Sequence, residues 1–263
     1  MEALLDPDER ARARSALRPG LRRRFVLAHA GTRILLGARL GRPPEQLRFR
    51  RGRWGKPAVV DASGLHFSLS HSGELALLAV APRPVGVDVE LVRSGRDVDR
   101  LSRRFFPCPE RELVARGGRP AFARLWTRKE ACVKASGGRL TEGLALPVAH
   151  TAAQATVHAP PPTGAVPEGT VPVGPLPDGP LPDGPAGPWR VADLPLPGEP
   201  EPYAGAVALL GDGAFAVSWP AWPEPTGWPA RPGATGRIGR TAGSTRGGRD
   251  ARTADGAPST GVK

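Results

Sequence analysis

The chain has 263 residues, of which 34 are Gly and 32 are Pro, and the excess is concentrated. Residues 159–202 hold 15 Pro and 7 Gly, against 11 Pro and 15 Gly in all of residues 1–158, which excludes one uniformly folded domain and leaves roughly 200–220 residues for packing. The 37 Lys+Arg against 25 Asp+Glu give a net charge of +12, with +10 of it from residues 1–60 (15 basic, 5 acidic), so an anionic partner is expected: nucleic acid, phosphorylated cofactor or acidic protein.

Helices are expected at 7–19 and 21–40, the second with Leu21, Phe25, Ala28, Thr32 and Leu35–Leu36 at helical spacing and Gly41-Arg42-Pro43-Pro44 to end it. Short strands follow at Leu47–Arg51 and His66–Leu69. Leu75–Ala81 has the length of a buried strand, and Pro82-Arg83-Pro84 turns it into a strand over Val85–Glu90. Further helices are read at 97–106, 109–116 and 120–136, the last closed by Gly137-Gly138. Strands are expected at Leu146–Thr156 and at Trp189–Ala192, and 203–210 with 214–219 reads as a closing hairpin. The near-repeat Gly174–Pro185 cannot bury a core and reads as an extended or disordered loop within a Pro/Gly-rich insertion at about 159–188. After Pro220 few aliphatic residues remain, so 220–263 reads as a disordered tail. Helices and strands in this order predict an α+β (mixed α/β) fold.

Cys108 and Cys132 are too few for a disulfide framework or a Cys-rich zinc site. The start of the chain lacks a signal-peptide pattern and Leu75–Ala81 is far short of a membrane span, so a cytoplasmic protein with no membrane partner is expected.

Three clusters can carry chemistry. Asp88 and Glu90 share one face of a strand end, where two carboxylates are costly to hold together unless a cation neutralises them; oxygen-only ligation suits Mg²⁺. Two solvated acids at a strand terminus are the plainer alternative. Glu130 and Lys134 stand at i, i+4 on a helix and share a face, as a surface ion pair also would. Phe67-Ser68-Leu69-Ser70-His71-Ser72-Gly73 gathers hydroxyl and imidazole donors that can cradle phosphate oxygens or bond local backbone.

The order and spacing of these clusters are more specific than any one alone. Gly55-Lys56-Pro57, Phe67–Gly73, Gly86-Val87-Asp88-Val89-Glu90 and Trp126-Thr127-Arg128-Lys129-Glu130-Ala131-Cys132-Val133-Lys134 closely resemble the 4'-phosphopantetheinyl transferase superfamily, in its larger Sfp-type branch, over roughly residues 7–219. The resemblance implies two similar α/β halves related by a pseudo-twofold axis, 1–84 and 85–219, with coenzyme A bound as co-substrate between them and a monomeric chain. It implies Asp88, Glu90 and Glu130 as ligands of Mg²⁺ (or Mn²⁺), and Glu130 and Lys134 as the catalytic pair. Glu130 would help deprotonate the acceptor serine, directly or through a metal-bound water. Lys134 would stabilise phosphates or protonate the leaving group. Ser70 and His71 would contact phosphate, Lys56 and Pro57 would lie near the adenine and ribose phosphate, and Arg33, with Arg18 beside it, would bind the nucleotide. The implied reaction moves the 4'-phosphopantetheine arm of coenzyme A onto a serine of an apo acyl or peptidyl carrier protein of polyketide or nonribosomal peptide synthesis, releasing 3',5'-adenosine bisphosphate. Acidic carriers would be steered by the positive charge. Two other readings remain at this point: a basic nucleic-acid-binding protein, though without interleaved aromatics or a known module, and a metal-dependent phosphodiesterase, though without further ligands for two metals.

Overall fold

The computed structural model describes residues 1–16, 18–93, 97–158, 187–196 and 202–220. The insertion expected at 159–188, all but its last two residues, and the tail beyond Pro220 lie outside these. Helix α1 (Pro7–Ser15) starts at a capping box in which Asp6 and Glu9 satisfy each other's backbone N–H. Helix α2 (Pro19–Leu40) ends at Gly41 in the left-handed conformation. Then come β1 (Phe49–Arg51), β2 (Pro57–Val59), β3 (His66–Ser72), β4 (Leu75–Ala81) and β5 (Val85–Leu91), followed by α3 (Val98–Phe105), α4 (Cys108–Ser136), α5 (Leu140–Gly143), β6 (Gln154–Val157), β7 (Trp189–Asp193) and β8 (Tyr203–Leu210). All strand pairs are antiparallel: the hairpins β1–β2 and β3–β4, and a four-stranded sheet in the order β5-β8-β7-β6. The class is α+β, as expected.

Alternation sets the two faces of β5. Val85, Val87, Val89 and Leu91 are buried; the three valines pack with Val207, Leu209 and Leu77 on one side. Gly86, Asp88 and Glu90 take the other, toward α4. On that side Phe122, Leu125, Ala131 and Ala135 of α4 meet Val191, Ala206 and Ala208 of the sheet. A third cluster, Leu36, Leu47, Val59 and Phe67, holds α2 against the hairpins. Phe106 is fully buried and stacks on Phe122 at 5.2 Å as part of this core.

Gly86 permits a close approach of β5 to α4. A Cβ there would lie 2.0 Å from the Ala131 carbonyl oxygen and 2.4 Å from the Ala135 nitrogen, so only glycine lets β5 lie against α4. Within α4, Gly118 (φ 59°, ψ −144°) breaks the helix just before Pro120, where the sequence reading separated two helices.

Two expected strands differ from the structure. The strand expected at Leu146–Thr156 begins only at Gln154, because side chains from α4 take the earlier backbone groups. Glu110 accepts from Val148 and Ala149 N–H at 2.6 and 3.0 Å, Lys129 donates to the Leu146 carbonyl, and Arg128 donates to those of Val148 and His150. The second strand of the closing hairpin, 214–219, is not a strand; the Gln154 side-chain amide bonds both the N–H and C=O of Phe215 instead. Strand β2 was not foreseen, since it is three residues long and opens on Pro57.

Candidate active site

The site is assembled where β3, β5 and α4 meet. Strands β3 and β5 run side by side in the same direction, yet carbonyls do not join them. Ser68, Ser70 and Ser72, alternating on β3, turn their hydroxyls to β5 and accept the N–H groups of Val87, Val89 and Leu91 at 3.1, 3.3 and 3.1 Å. Each hydroxyl keeps a proton to donate. Ser70 gives its proton to Asp88 Oδ1 at 2.7 Å and Ser72 gives its own to Glu90 Oε2 at 3.2 Å.

Helix α4 brings Glu130 and Lys134 to the same place. Its rotation is fixed on the far side: the buried Arg128 grips the exposed Asp193 with two 2.6 Å bonds, and Lys129, fully buried, pairs with Glu110 at 2.6 Å beneath the Phe106 ring. Losing one partner of such a pair would leave a buried charge uncompensated. Lys134 then reaches Asp88 Oδ1 at 2.6 Å and Ser70 Oγ at 3.2 Å.

Burial raises the Asp88 carboxyl above its ordinary value, opposed by Lys134 and Ser70. Glu130 is pushed up to about 7, first by burial and then by the charge of Asp88, with Glu90 adding to it and Lys134 opposing. The three carboxylates thus share one field. Among the described residues no group of three His, Cys, Asp or Glu side chains is placed to hold a metal ion; Lys134 and Ser70 hold one oxygen of Asp88. The other, Asp88 Oδ2, is buried with no hydrogen-bond partner. A buried carboxylate oxygen without a donor, close to two further carboxylates, fits a hard divalent cation.

On one side of this junction lies a groove of about 310 Å³ lined by Arg12, His29, Arg51, Trp54, His71 and Lys134, with Lys56 and Pro57 at its wall. On the other, a cavity of about 450 Å³ is lined by Ser72, Glu90, Arg93, Arg119, Phe122 and Trp126. His71 is exposed to the groove, and its pKa is lowered by partial burial and by His29, Lys134 and Arg24. The Lys56 ammonium does not project into solvent. It donates to the carbonyls of Val85, Lys134 and Ala135 at 3.0, 2.5 and 2.7 Å, closing the C-terminal end of α4 from the β1–β2 hairpin. Burial draws its pKa down to about 7, whereas carbonyls at a helix C-terminus favour the charged form.

Arg33 is not at the groove, which corrects its expected role. It is 1% exposed and spends its donors on Glu9 (2.7 Å), Asp6 (2.6 Å), Leu47 O (2.8 Å) and Pro44 O (3.3 Å). Arg18 precedes α2 at the surface and does not line the groove. The basic lining comes instead from Arg12, His29 and Arg51, which the sequence reading passed over. His29 stands four residues after Phe25 on α2 and stacks on its ring at 4.0 Å, a spacing that was legible. Ser72 was read only as part of a donor run.

In this mixed fold the strand-borne carboxylates Asp88 and Glu90 thus face the Glu130/Lys134 helix beside a basic groove. A family description, the 4'-phosphopantetheinyl transferase superfamily, matches residues 84–159. Curated relatives agree. The 4'-phosphopantetheinyl transferase HetI of Nostoc sp. is 41% identical over 145 residues, 52% of this chain and 61% of the relative. The 4'-phosphopantetheinyl transferase Sfp of Bacillus subtilis is 30% identical over 164 residues, 56% of this chain and 70% of the relative. AcpT of Salmonella typhi, also named a 4'-phosphopantetheinyl transferase, is 38% identical over 130 residues, 45% of this chain and 62% of the relative. The chain belongs to this superfamily. It spans about three fifths of the length of HetI and of a second cyanobacterial relative, a Synechocystis protein named as a putative 4'-phosphopantetheinyl transferase.

Proposed function

We propose that this protein is a 4'-phosphopantetheinyl transferase that moves the phosphopantetheine arm of coenzyme A onto a serine of an apo acyl or peptidyl carrier protein, releasing 3',5'-adenosine bisphosphate. The observation that carries the reading is the buried, donor-less oxygen of Asp88 at the point where Glu130 and Lys134 arrive from α4, in a chain of this superfamily. The two segments 1–84 and 85–219 act as the halves whose junction holds the substrate.

The nucleotide end of coenzyme A takes the basic groove. Arg12, Arg51 and His71 supply charge and donors for its phosphates, and Trp54 supplies an aromatic wall braced by Arg139, whose guanidinium lies 3.6 Å from the ring centre. Asp88, Glu90 and Glu130 would hold Mg²⁺, with Mn²⁺ as the substitute, and the ion when bound neutralises the pyrophosphate and polarises the bond to be broken. The carrier serine approaches from the side of Glu90 and Trp126. Its hydroxyl oxygen forms the new bond to the β-phosphorus, the bond to the bisphosphate oxygen breaks, and the hydroxyl proton passes to Glu130, directly or through a water. Lys134 stabilises the charge that builds on the departing phosphate. The protein works as a monomer in the cytoplasm.

The test is a mass measurement on an apo carrier protein incubated with coenzyme A, Mg²⁺ and the protein. The carrier gains one phosphopantetheine arm with the wild type, and the gain is lost with Asp88→Ala and Glu130→Ala. Folded wild-type protein that leaves several carriers unchanged would overturn the reading.

A further inference from the structure

The three serines of β3 are equivalent toward the backbone and different toward the carboxylates. Ser68, Ser70 and Ser72 each accept one β5 N–H, from Val87, Val89 and Leu91, always 19 residues on. The bond uses a lone pair and leaves the hydroxyl proton to be placed. At Ser70 the proton goes to Asp88, whose other contact is Lys134. At Ser72 it goes to Glu90 Oε2 at 3.2 Å. Ser68 makes the same backbone bond with no carboxylate bond. Glu90 is only partly buried and stands at the mouth of the 450 Å³ cavity, which Ser72 also lines. A glutamate there has three rotatable bonds, and a hydroxyl tied to the next residue's amide is a fixed point against which its carboxylate can be set.

We propose that Ser72 is a positioning residue for Glu90: its hydroxyl, held in place by the Leu91 N–H, orients the Glu90 carboxylate toward the cation shared with Asp88 and Glu130. The proposal rests on the metal-dependent reading given above. It separates two roles along one strand, with Ser68 a backbone substitute alone and Ser72 both a backbone substitute and the partner of a ligand. Partners of metal-ligating groups of this kind typically change affinity by about 10–100-fold when removed.

Mn²⁺ is the probe, titrated into the full chain and followed by electron paramagnetic resonance, with thermal unfolding measured in parallel. Ser72→Ala should weaken Mn²⁺ binding about tenfold, whereas Ser72→Thr, which keeps the hydroxyl, and Ser68→Ala should stay within about twofold of wild type. Ser68→Ala and Ser72→Ala should lower the unfolding temperature by similar amounts, since each strands one backbone N–H. Equal Mn²⁺ affinity in wild type and Ser72→Ala would overturn the proposal. So would an equal weakening in Ser68→Ala, because the effect would then belong to the seam as a whole. Wild-type protein that binds no Mn²⁺ would remove the metal-dependent reading itself, and the positioning role with it.

Discussion

Glu9 is a carboxylate that three donors hold in the charged form. Burial alone would raise its pKa, but His29, the Asp6 backbone N–H and Arg33 together bring it from 4.5 to about 2. A group with a depressed native pKa contributes stability above its unfolded value and loses it as pH falls through the native one. Between pH 4.5 and 2 the unfolded chain therefore takes up the proton first, and wild-type stability declines across that window. Glu9→Gln should cost on the order of 3 kcal/mol at pH 7, from a displacement of roughly two and a half pK units. Its deficit relative to wild type should shrink as pH drops from 4.5 toward 2; urea unfolding at pH 6, 4 and 3 measures this. The same carboxylate explains why Arg33 could not be placed from sequence. A basic residue on an amphipathic helix is equally consistent with a phosphate ligand and with a buried strut. Only the arrival of Asp6, Glu9 and two loop carbonyls decides for the strut.

At the scale of elements, the approach of β5 to α4 sets the geometry of Asp88 against Lys134. Gly86→Ala places a methyl 2.0 Å from the Ala131 carbonyl oxygen, which is backbone and cannot swing away. The expected cost is about 3 kcal/mol or more, measured by chemical denaturation. Transfer by the protein that remains folded should fall further than that loss explains, because Asp88 is displaced from α4. Much at this scale could be read directly: Asp88 and Glu90 on one face of a strand, Glu130 and Lys134 on one face of a helix, and the break before Pro120 all follow from period and glycine chemistry. What could not be read was backbone satisfied by distant side chains. The 146–153 stretch has strand-like composition, yet Glu110, Arg128 and Lys129 take its backbone groups from 17 to 39 residues away. The serines of β3 looked like phosphate donors, and their work as acceptors for β5 depends on a neighbour that periodicity does not name.

For the whole molecule, +12 is a long-range property. With an acidic carrier as partner, KM for the carrier should rise about tenfold between low salt and several hundred millimolar salt while kcat changes little, since screening acts on encounter more than on a docked pair. Steady-state kinetics over a sodium chloride series measures it. A carrier KM indifferent to salt would mean that the charge serves coenzyme A alone.

The bond from Lys56 to the end of α4 and the serine seam along β5 share a further consequence. The two walls of the centre come from different stretches of chain, and every direct bond between them is one that two separate molecules could make. What binds them is the short link Pro82-Arg83-Pro84 between β4 and β5. The link converts an encounter into an intramolecular closure, so that a high local concentration stands in for intrinsic affinity. Residues at this seam therefore need only be complementary: the serine and lysine bonds, with Leu77 packed on the valines of β5, keep the catalytic groups in register.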